Sequence, residues 1–314
     1  MAKGSACDVA ARRSPRARLI PTTLPQRMSN SILGQIRQAI EQLNPNEVRE
    51  HAEIDIWVRL NATSEQSYRE MEAFFSPGSA SPEKRREILK SVYRRQHNGP
   101  AEPHIDVYEI GLERPEGAFV FSPRRPAELI ADILAEKQEF GLPFARLFPD
   151  FRRPVCDQIV FNVARENATF AFMTALPELA PGMQIPWAVP ELVSDASVLT
   201  VNQIRMAFLL GAAHDRPVGY REQKGEIAAI IAGAFGWRAV ARELVGKIPF
   251  GGGLLPKAGI AFAATYVEGL SLERLYRVGS GLSRIERKLA YGEALARGKD
   301  VAAAIFDSVR KRKR

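Results

Sequence analysis

The glycine cluster near residue 250 is the part of the sequence that comes closest to a chemical motif. Gly251, Gly252 and Gly253 precede a lysine by a few residues, which imitates a phosphate-binding loop. Such a loop needs a glycine directly before its lysine and a Ser or Thr hydroxyl directly after it. Here Pro256 occupies the first of these places and Ala258 the second, and proline also removes a backbone N–H donor. The cluster is therefore predicted to be a hairpin turn between two close-packed helices, the second of which starts at Pro256.

Other residue types that carry chemistry are present without the spacing that the chemistry needs. Ser280 and Ser283 do not form a Gly-x-Ser-x-Gly nucleophile elbow, and the four histidines form no His-x-x-x-His pair. Cys7 and Cys156 are too distant in sequence for a Cys-x-x-Cys metal-binding pair. The sequence thus predicts no catalytic residue, no metal site and no cofactor.

Charged and amide side chains interrupt the apolar runs of the C-terminal half. Asp157, Arg165 and Glu166 belong to one run, and Asn202 and Arg205 belong to another. A buried polar group costs free energy unless it is paired, so these five residues are predicted to pair across helices or to face water. The alternative interpretation is a polar enzyme pocket between the helices, for which the best candidates are Asp157, Arg165, Glu166 and Arg205.

Small residues recur at every fourth position between residues 225 and 236, and the spacing returns in the helix that follows the glycine cluster. Such spacing lets helix backbones approach closely, as helices do in lipid. A general preference of helices for alanine is the alternative explanation. The residues predicted to mediate helix packing are Ala228, Ala229, Ala232, Gly233, Gly236, Gly259 and Ala263.

The 314-residue chain has the composition of a globular protein, with 46% hydrophobic and 25% charged residues. Its net charge of +8 comes from its two ends, because residues 1–30 hold six Lys or Arg against one Asp and residues 310–314 hold five. Residues 31–150 are acidic, with 20 Asp or Glu and 15 Lys or Arg. A nucleic-acid-binding domain normally carries its basic patch on the folded surface, so this distribution disfavours nucleic acid as a partner.

The N-terminal half alternates strand and helix patterns. Residues 1–30 are predicted to be a disordered basic segment, and residues 31–150 a small α/β module. Alternating apolar residues predict strands at 54–60, 104–110 and 118–121, and helical spacing predicts helices at 31–43, 65–75, 82–96 and 125–140. Thr63 or Ser64 is the expected N-cap of the second helix and Ser81 of the third.

From Pro154 the strand patterns end and long helical runs follow, at 154–176, 196–213, 219–245, 256–277 and 285–309. We place the boundary at Phe148–Pro154 and predict that residues 151–309 form a mainly α-helical domain with a Gly-rich helical hairpin. The predicted fold class is therefore α+β. The chain contains no uncharged apolar stretch of 18 residues, which argues against several membrane spans but leaves membrane association open.

Four segments of the helical domain together resemble a known family: Val201–Met206, Ala232–Arg238, Lys247–Gly253 and Ala261–Tyr266. They are similar to the bacterial domain-of-unknown-function family 697, whose members are attached to or encoded beside small GTPases or occur in an inner-membrane protein. The resemblance covers about residues 155–280 and implies a helical, membrane-associated domain with a GTPase partner. The chain departs from the GTPase-fused members because it has no Asn-Lys-x-Asp guanine-reading motif.

The chain ends in five consecutive cations, Arg310, Lys311, Arg312, Lys313 and Arg314. Such a tail attracts anionic lipid headgroups by about 1 kcal/mol per residue near the surface. A solubilising tail and non-specific RNA binding are the alternatives.

Taken together, these features predict a membrane-associated, non-enzymatic helical protein that serves as a partner or scaffold for a cytoplasmic protein such as a small GTPase. It would lie at the cytoplasmic face of the inner membrane, peripheral or partly inserted, with its tail on the anionic membrane surface. Two alternatives stay open: a soluble cytoplasmic adaptor or structural protein, and an enzyme with a polar pocket between the C-terminal helices.

Overall fold

The chain folds into a small sheet-containing module followed by a bundle of long helices. The computed structural model describes residues 40–95, 99–100, 102–175, 195–233 and 254–312. A parallel sheet lies in the N-terminal part and the long helices lie in the C-terminal part, so the α+β fold class predicted from the sequence is confirmed.

The elements follow in chain order. The module contains α1 (Pro45–Ala52), β1 (Val58–Asn61), α2 (Glu65–Phe75), α3 (Pro82–Ser91), β2 (Val92–Arg94), β3 (Ile105–Glu109), β4 (Phe119–Phe121) and α4 (Pro126–Glu136). A short 3-10 helix (Gln138–Phe140) leads into the helical part, which contains α5 (Gly141–Leu147), α6 (Pro149–Met173), α7 (Asp195–Ala213), α8 (residues 224–233), α9 (Leu254–Val278) and α10 (Arg284–Arg312).

The four strands are parallel and lie in the order β2-β1-β3-β4. Val58 of the central strand β1 is paired with Val92 of β2 on one side and with Ile105 of β3 on the other. Helices α2 and α3 supply the long crossover that the parallel neighbours β1 and β2 require. The chain leaves β1 toward one edge of the sheet and leaves β3 toward the other. The carboxyl ends of β1 and β3 therefore form the switch point at which parallel α/β sheets commonly bind ligands.

Serine caps mark where two helices of the module begin. The side chains of Ser64 and Ser81 accept hydrogen bonds from backbone N–H groups in the first turns of α2 and α3, as predicted. The predicted helix 82–96 is too long, because α3 ends at Ser91 and Val92–Arg94 form strand β2. A β-branched and an aromatic residue begin this segment, and both favour pairing with the central strand over continuing the helix.

A continuous hydrophobic core joins the module to the helical bundle. Phe75 of α2, Phe144 of α5 and Phe151 of α6 are buried together with Phe148, and the ring centroids of Phe75 and Phe148 are 5.2 Å apart. The predicted boundary at Phe148–Pro154 thus lies within a hydrophobic core that the module and the bundle share. Helix α6 begins at Pro149 rather than at Pro154, because the first position of a helix tolerates a residue without an N–H donor.

Helix α9 lies within the bundle against α6, α7 and α10. It runs antiparallel to α6, because Nζ of Lys257 in its first turns lies 3.2 Å from Oγ1 of Thr174, the residue that follows α6. The end of α10 packs at the same place. The core shared by these three helices contains Ala164, Ala168, Phe172, Ala258, Phe262, Ala302 and Ile305.

Two glycines let α9 and α10 approach each other closely. A Cβ atom added to Gly298 would lie 2.7 Å from the carbonyl oxygen of Gly259, nearer than real Cβ atoms come to a backbone. One turn along each helix, Ala263 and Ala294 are buried in the same contact. The predicted packing residues Gly259 and Ala263 therefore both lie in a close helix–helix contact of the small-xxx-small type.

The small residues of α8 lie on its outer side, which corrects the packing role predicted for them. Ala228, Ala229 and Ala232 are exposed, and the space around Gly233 is open. Ile230 is buried instead, because an isoleucine removes more apolar area from water than an alanine does. Gly236, the last residue of the predicted line, lies outside the described residues.

Candidate functional site

Three helix ends meet at one end of the bundle, which we call the tail end. The end of α6, the start of α9 and the end of α10 lie there around the core described above. Phe306 of α10 contacts Phe172 of α6 with a ring-centroid distance of 6.4 Å, yet Phe306 is 43% exposed. The tail end therefore presents an aromatic side chain to its surroundings.

The same end carries positive charge. Arg310 and Lys311 are exposed in the last turn of α10, and Lys257 is half-buried in the first turns of α9. Helix α10 extends to Arg312, so the first three residues of the predicted tail are helical, and the last two lie outside the described residues. Arg310 and Lys311 suit this position because the carbonyl end of a helix favours positive charge. Asp307, one turn earlier, is an exposed acidic residue beside them.

Two stretches outside the described residues adjoin helices of the tail end in sequence. Residues 176–194 follow α6, and residues 234–253 lead into α9. By sequence both stretches are mainly apolar and each contains one tryptophan, Trp187 and Trp237. The predicted hairpin turn at residues 251–253 falls in the second stretch, whereas Pro256 lies in the first turn of α9.

The side chains predicted for an enzyme pocket are not brought together. Asp157 and Arg165 are exposed on α6, and Asp157 forms an ion pair with Arg153 on the same helix at an N–O distance of 4.0 Å. Glu166 of α6 and Arg205 of α7 form an ion pair across the two helices. Pairing across helices and exposure to water both occur, as expected, but no common cluster of the four side chains forms.

Asn202 belongs to a buried, uncharged hydrogen-bond network between α6, α7 and α9. Its Nδ2 donates to Oδ1 of Asn167 at 2.8 Å, and Nδ2 of Asn167 donates to Oγ1 of Thr265 at 2.8 Å. Nδ2 of Asn167 also donates to the carbonyl oxygen of Leu199 at 3.2 Å. Asn167 and Thr265 are 0% and 1% exposed. Because its members satisfy one another, the network orients three helices without burying a charge.

A second buried contact was not predicted from the sequence. Nε2 of Gln223, just before α8, donates to the hydroxyl of Tyr276 at 2.6 Å and to the carbonyl oxygen of Ala207 at 2.7 Å. Burial raises the pKa of Tyr276, so the phenol stays neutral. The partners of Gln223 lie 53 and 16 residues away in sequence, so local spacing carries no signal for them.

A cluster of four charged residues joins the module to the bundle, and we call it the junction cluster. Nζ of Lys84 in α3 donates to Oε2 of Glu87 at 2.9 Å and to Oδ2 of Asp215 at 2.7 Å. Nη1 of Arg146 in α5 donates to Oε1 of Glu87 at 2.8 Å. Asp215 follows α7 with a φ of +56°, a backbone conformation that favours glycine. Its carboxylate bridges two cations, which gives a reason for an acidic side chain at a strained position.

Glu109 lies at the switch point of the sheet, at the end of β3. Its carboxylate accepts hydrogen bonds from Oγ of Ser67 at 2.6 Å and from the backbone N and Oγ1 of Thr63 at 2.9 Å each. The bond from Ser67, with those from Thr63, holds the pKa of Glu109 below its ordinary value. Phosphates commonly bind at such a helix N-terminus, and here a carboxylate of the protein itself accepts these hydrogen bonds.

Comparison of the chain with protein-family models, with curated proteins and with solved structures found no match. The family resemblance given above therefore stays a prediction. Among the described residues, no three His, Cys, Asp or Glu side chains are grouped so that they could hold a metal ion. Within the described ranges, no helix has a stretch both long and apolar enough to cross a membrane.

Proposed function

We propose that the protein is a non-enzymatic partner or scaffold that attaches to an anionic membrane surface, the cytoplasmic face of the inner membrane, through its tail end. The observation that carries this proposal is the position of Arg310 and Lys311 beside the exposed Phe306, at the end of the bundle where three helix ends meet. The acidic module then lies away from the lipid and contacts a cytoplasmic protein such as a small GTPase.

The tail end combines two kinds of interaction that stable membrane attachment requires. Its cations attract anionic headgroups by about 1 kcal/mol each near the surface. Phe306 adds an apolar side chain that is 43% exposed. One weak signal seldom anchors a protein, whereas charge and apolar contact together do.

The loop between β3 and β4 is the part of the module best suited to a protein partner. Ile110 is 55% exposed there, and Glu113 and Glu116 are exposed close by in sequence. An exposed apolar side chain beside acidic residues fits a partner that offers an apolar patch with a basic rim.

Vesicle co-sedimentation of the full chain tests the membrane half of the proposal. Binding to vesicles with about a third anionic lipid, weak binding to neutral vesicles and loss of binding at high salt are expected. Arg310→Gln with Lys311→Gln removes two cations, which weakens binding by about 2 kcal/mol, roughly thirtyfold. If the wild-type chain stays in the supernatant with both vesicle types, the proposal is wrong.

A matched control removes the same charge elsewhere. Arg85 and Lys90 are exposed on α3 of the module, so Arg85→Gln with Lys90→Gln is expected to bind anionic vesicles as the wild type does. Equal weakening in both double variants would show that net charge, rather than the tail end, determines binding.

The partner half is tested by cross-linking in cells followed by mass spectrometry. A GTPase is expected among the proteins cross-linked to the wild-type chain and is expected to be lost with Ile110→Glu. The Ile110→Glu chain should still bind anionic vesicles. If no GTPase is recovered, or if Ile110→Glu still recovers it, this half of the proposal is rejected.

A further inference from the structure

A cavity of about 190 Å³ lies between α1, α5 and the segment that follows α7. Three arginines line it, Arg49 from α1, Arg146 from α5 and Arg216 from the segment after α7. Glu53 and Asp215 line it as well, so cations outnumber anions on its wall. The cavity lies next to the junction cluster, where the module meets the bundle.

The guanidinium groups retain hydrogen-bond donors that the protein does not use. Within the described part of the chain, the side chain of Arg49 makes no hydrogen bond and has no carboxylate within ion-pair distance. Arg146 uses Nε and Nη1 for Ala52, Glu87 and Asp215, and its Nη2 is left over. Nη2 of Arg216 donates to the carbonyl oxygen of Tyr276 at 2.8 Å, and the other N–H groups of this guanidinium donate no hydrogen bond within the described residues.

The acidic residues do not cancel this positive charge. Asp215 is already engaged, because its carboxylate accepts hydrogen bonds from Lys84 and Arg146. Glu53 directly follows α1, four residues after Arg49, but the two do not form an ion pair. An anion that enters the cavity therefore meets the guanidinium groups of Arg49 and Arg216, which have no carboxylate bound to them within the described residues, and the unused Nη2 of Arg146.

We propose that this cavity binds a small oxyanion, the phosphate or carboxylate group of a small soluble ligand. Planar guanidinium groups match both groups with paired N–H donors. The volume is below the range of about 300–1,000 Å³ that holds whole drug-sized ligands, so it suits one charged group. A wider groove of about 540 Å³ shares Arg49 and Val218 with the cavity and has room for the rest of the ligand.

The position of the cavity favours a soluble ligand over a lipid headgroup. Helix α7 begins near the tail end and ends at the cavity, and its 19 residues span roughly 28 Å at 1.5 Å per residue. A ligand held between Arg49 of the module and Arg146 or Arg216 of the bundle would also cross-link the two parts. Binding should therefore raise the stability of the whole chain.

Thermal unfolding and calorimetric titration of the full chain with inorganic phosphate test the proposal, with chloride adjusted to keep ionic strength constant. A saturable rise in Tm is expected for the wild type, with binding about tenfold weaker for Arg49→Ala. Arg49 is exposed and makes no contacts that the fold needs, so this variant should fold normally. Arg85→Ala, another exposed arginine without a described partner, is the matched control and should bind phosphate like the wild type.

Two results would overturn the proposal. One is the absence of a saturable phosphate effect on the wild type, or an effect that Arg49→Ala leaves unchanged. The other is binding that depends on Arg49 with phosphatidic acid vesicles but not with inorganic phosphate, since the site would then recognise a lipid. Wild-type vesicle binding through the tail end should be the same for Arg49→Ala, so failure here leaves the proposed function standing.

Discussion

The interior of the helical bundle and the junction cluster both hold polar side chains, but they hold them in different ways. Asn167, Asn202 and Thr265 are neutral and almost completely buried. In the junction cluster the side chains are charged, and those of Glu87 and Asp215 keep 39% and 36% of their surface exposed. Removing a charge from water costs more than removing an amide or hydroxyl, so the carboxylates remain where water still reaches them, and Lys84, whose side chain is 10% exposed, is paired with both. The neutral network therefore fixes the positions of three helices, whereas the junction cluster keeps charged groups within reach of solvent.

The largest effect is expected inside the bundle. Asn167→Leu removes the amide that joins Asn202 to Thr265 and leaves both polar groups buried without that partner. We expect a loss of about 2–4 kcal/mol in the free energy of unfolding, measured with a chemical denaturant. Asn162→Leu on the exposed side of the same helix is the control and should change stability by less than about 0.5 kcal/mol. Similar losses in both variants would mean that the network contributes little.

The close contact of α9 and α10 gives a sharper test with two glycines of one helix. Gly298→Ala puts a Cβ atom against the backbone of Gly259, so we expect destabilisation by about 1–3 kcal/mol. Gly292→Ala meets nothing within 4 Å and should stabilise the chain by up to about 1 kcal/mol, because alanine favours a helix. Thermal unfolding measures both. If both variants shift Tm in the same direction, the close approach is not as described.

The smallest effect is expected at the junction cluster and depends on pH. Burial raises the pKa of Glu87, but hydrogen bonds from Lys84 and Arg146 outweigh burial and leave that pKa below its ordinary value near 4.5. A depressed pKa in the folded state contributes stability at neutral pH, and this contribution is lost as the pH falls below 4.5. Because 39% of the Glu87 side chain is exposed, solvent screens its ion pairs. We therefore expect Glu87→Gln to lower the free energy of unfolding by no more than about 1 kcal/mol at pH 7.

The pH profile of unfolding checks this prediction. Wild type and Glu87→Gln should differ at pH 7 and converge as the pH falls through the titration of Glu87. Glu83→Gln, which removes a carboxylate 74% exposed in its pair with Arg86, should follow the wild-type profile throughout. A constant difference between wild type and Glu87→Gln down to low pH would contradict an ionic contribution.

Local signals in the sequence were enough for much of the fold. A serine before a helical pattern located the start of α2 and of α3, because the cap hydrogen bond forms within three residues. Strand β2 was missed because three residues that follow a helix carry too little periodicity, and their conformation depends on pairing with β1. Burial in α8 likewise depends on which neighbouring elements it packs against, and the sequence alone does not show that its isoleucine side rather than its alanine side is buried.

The candidate sites were less predictable, because they depend on which helix faces meet. Asn202 was selected by residue type, but its partner Asn167 and the partner of Asn167, Thr265, lie on helices whose orientation the sequence does not give. Spacing did identify Gly259 and Ala263, since a four-residue interval lies on one helix face whatever the partner is. In the junction cluster, Arg146 lies 59 residues from Glu87 and 69 from Asp215, so no pattern within one element links them.

The crossing of Gly259 and Gly298 also restricts how α10 can be placed along α9. A translation by one helical turn would bring Ala294 or Ala302 to the position of Gly298, and either methyl group would collide with the same carbonyl oxygen. The observed setting of the two helices therefore avoids this conflict, and a shift by one turn in either direction does not. The contact between these two glycines therefore fixes the distance from the first turn of α9 to Arg310 at the end of α10.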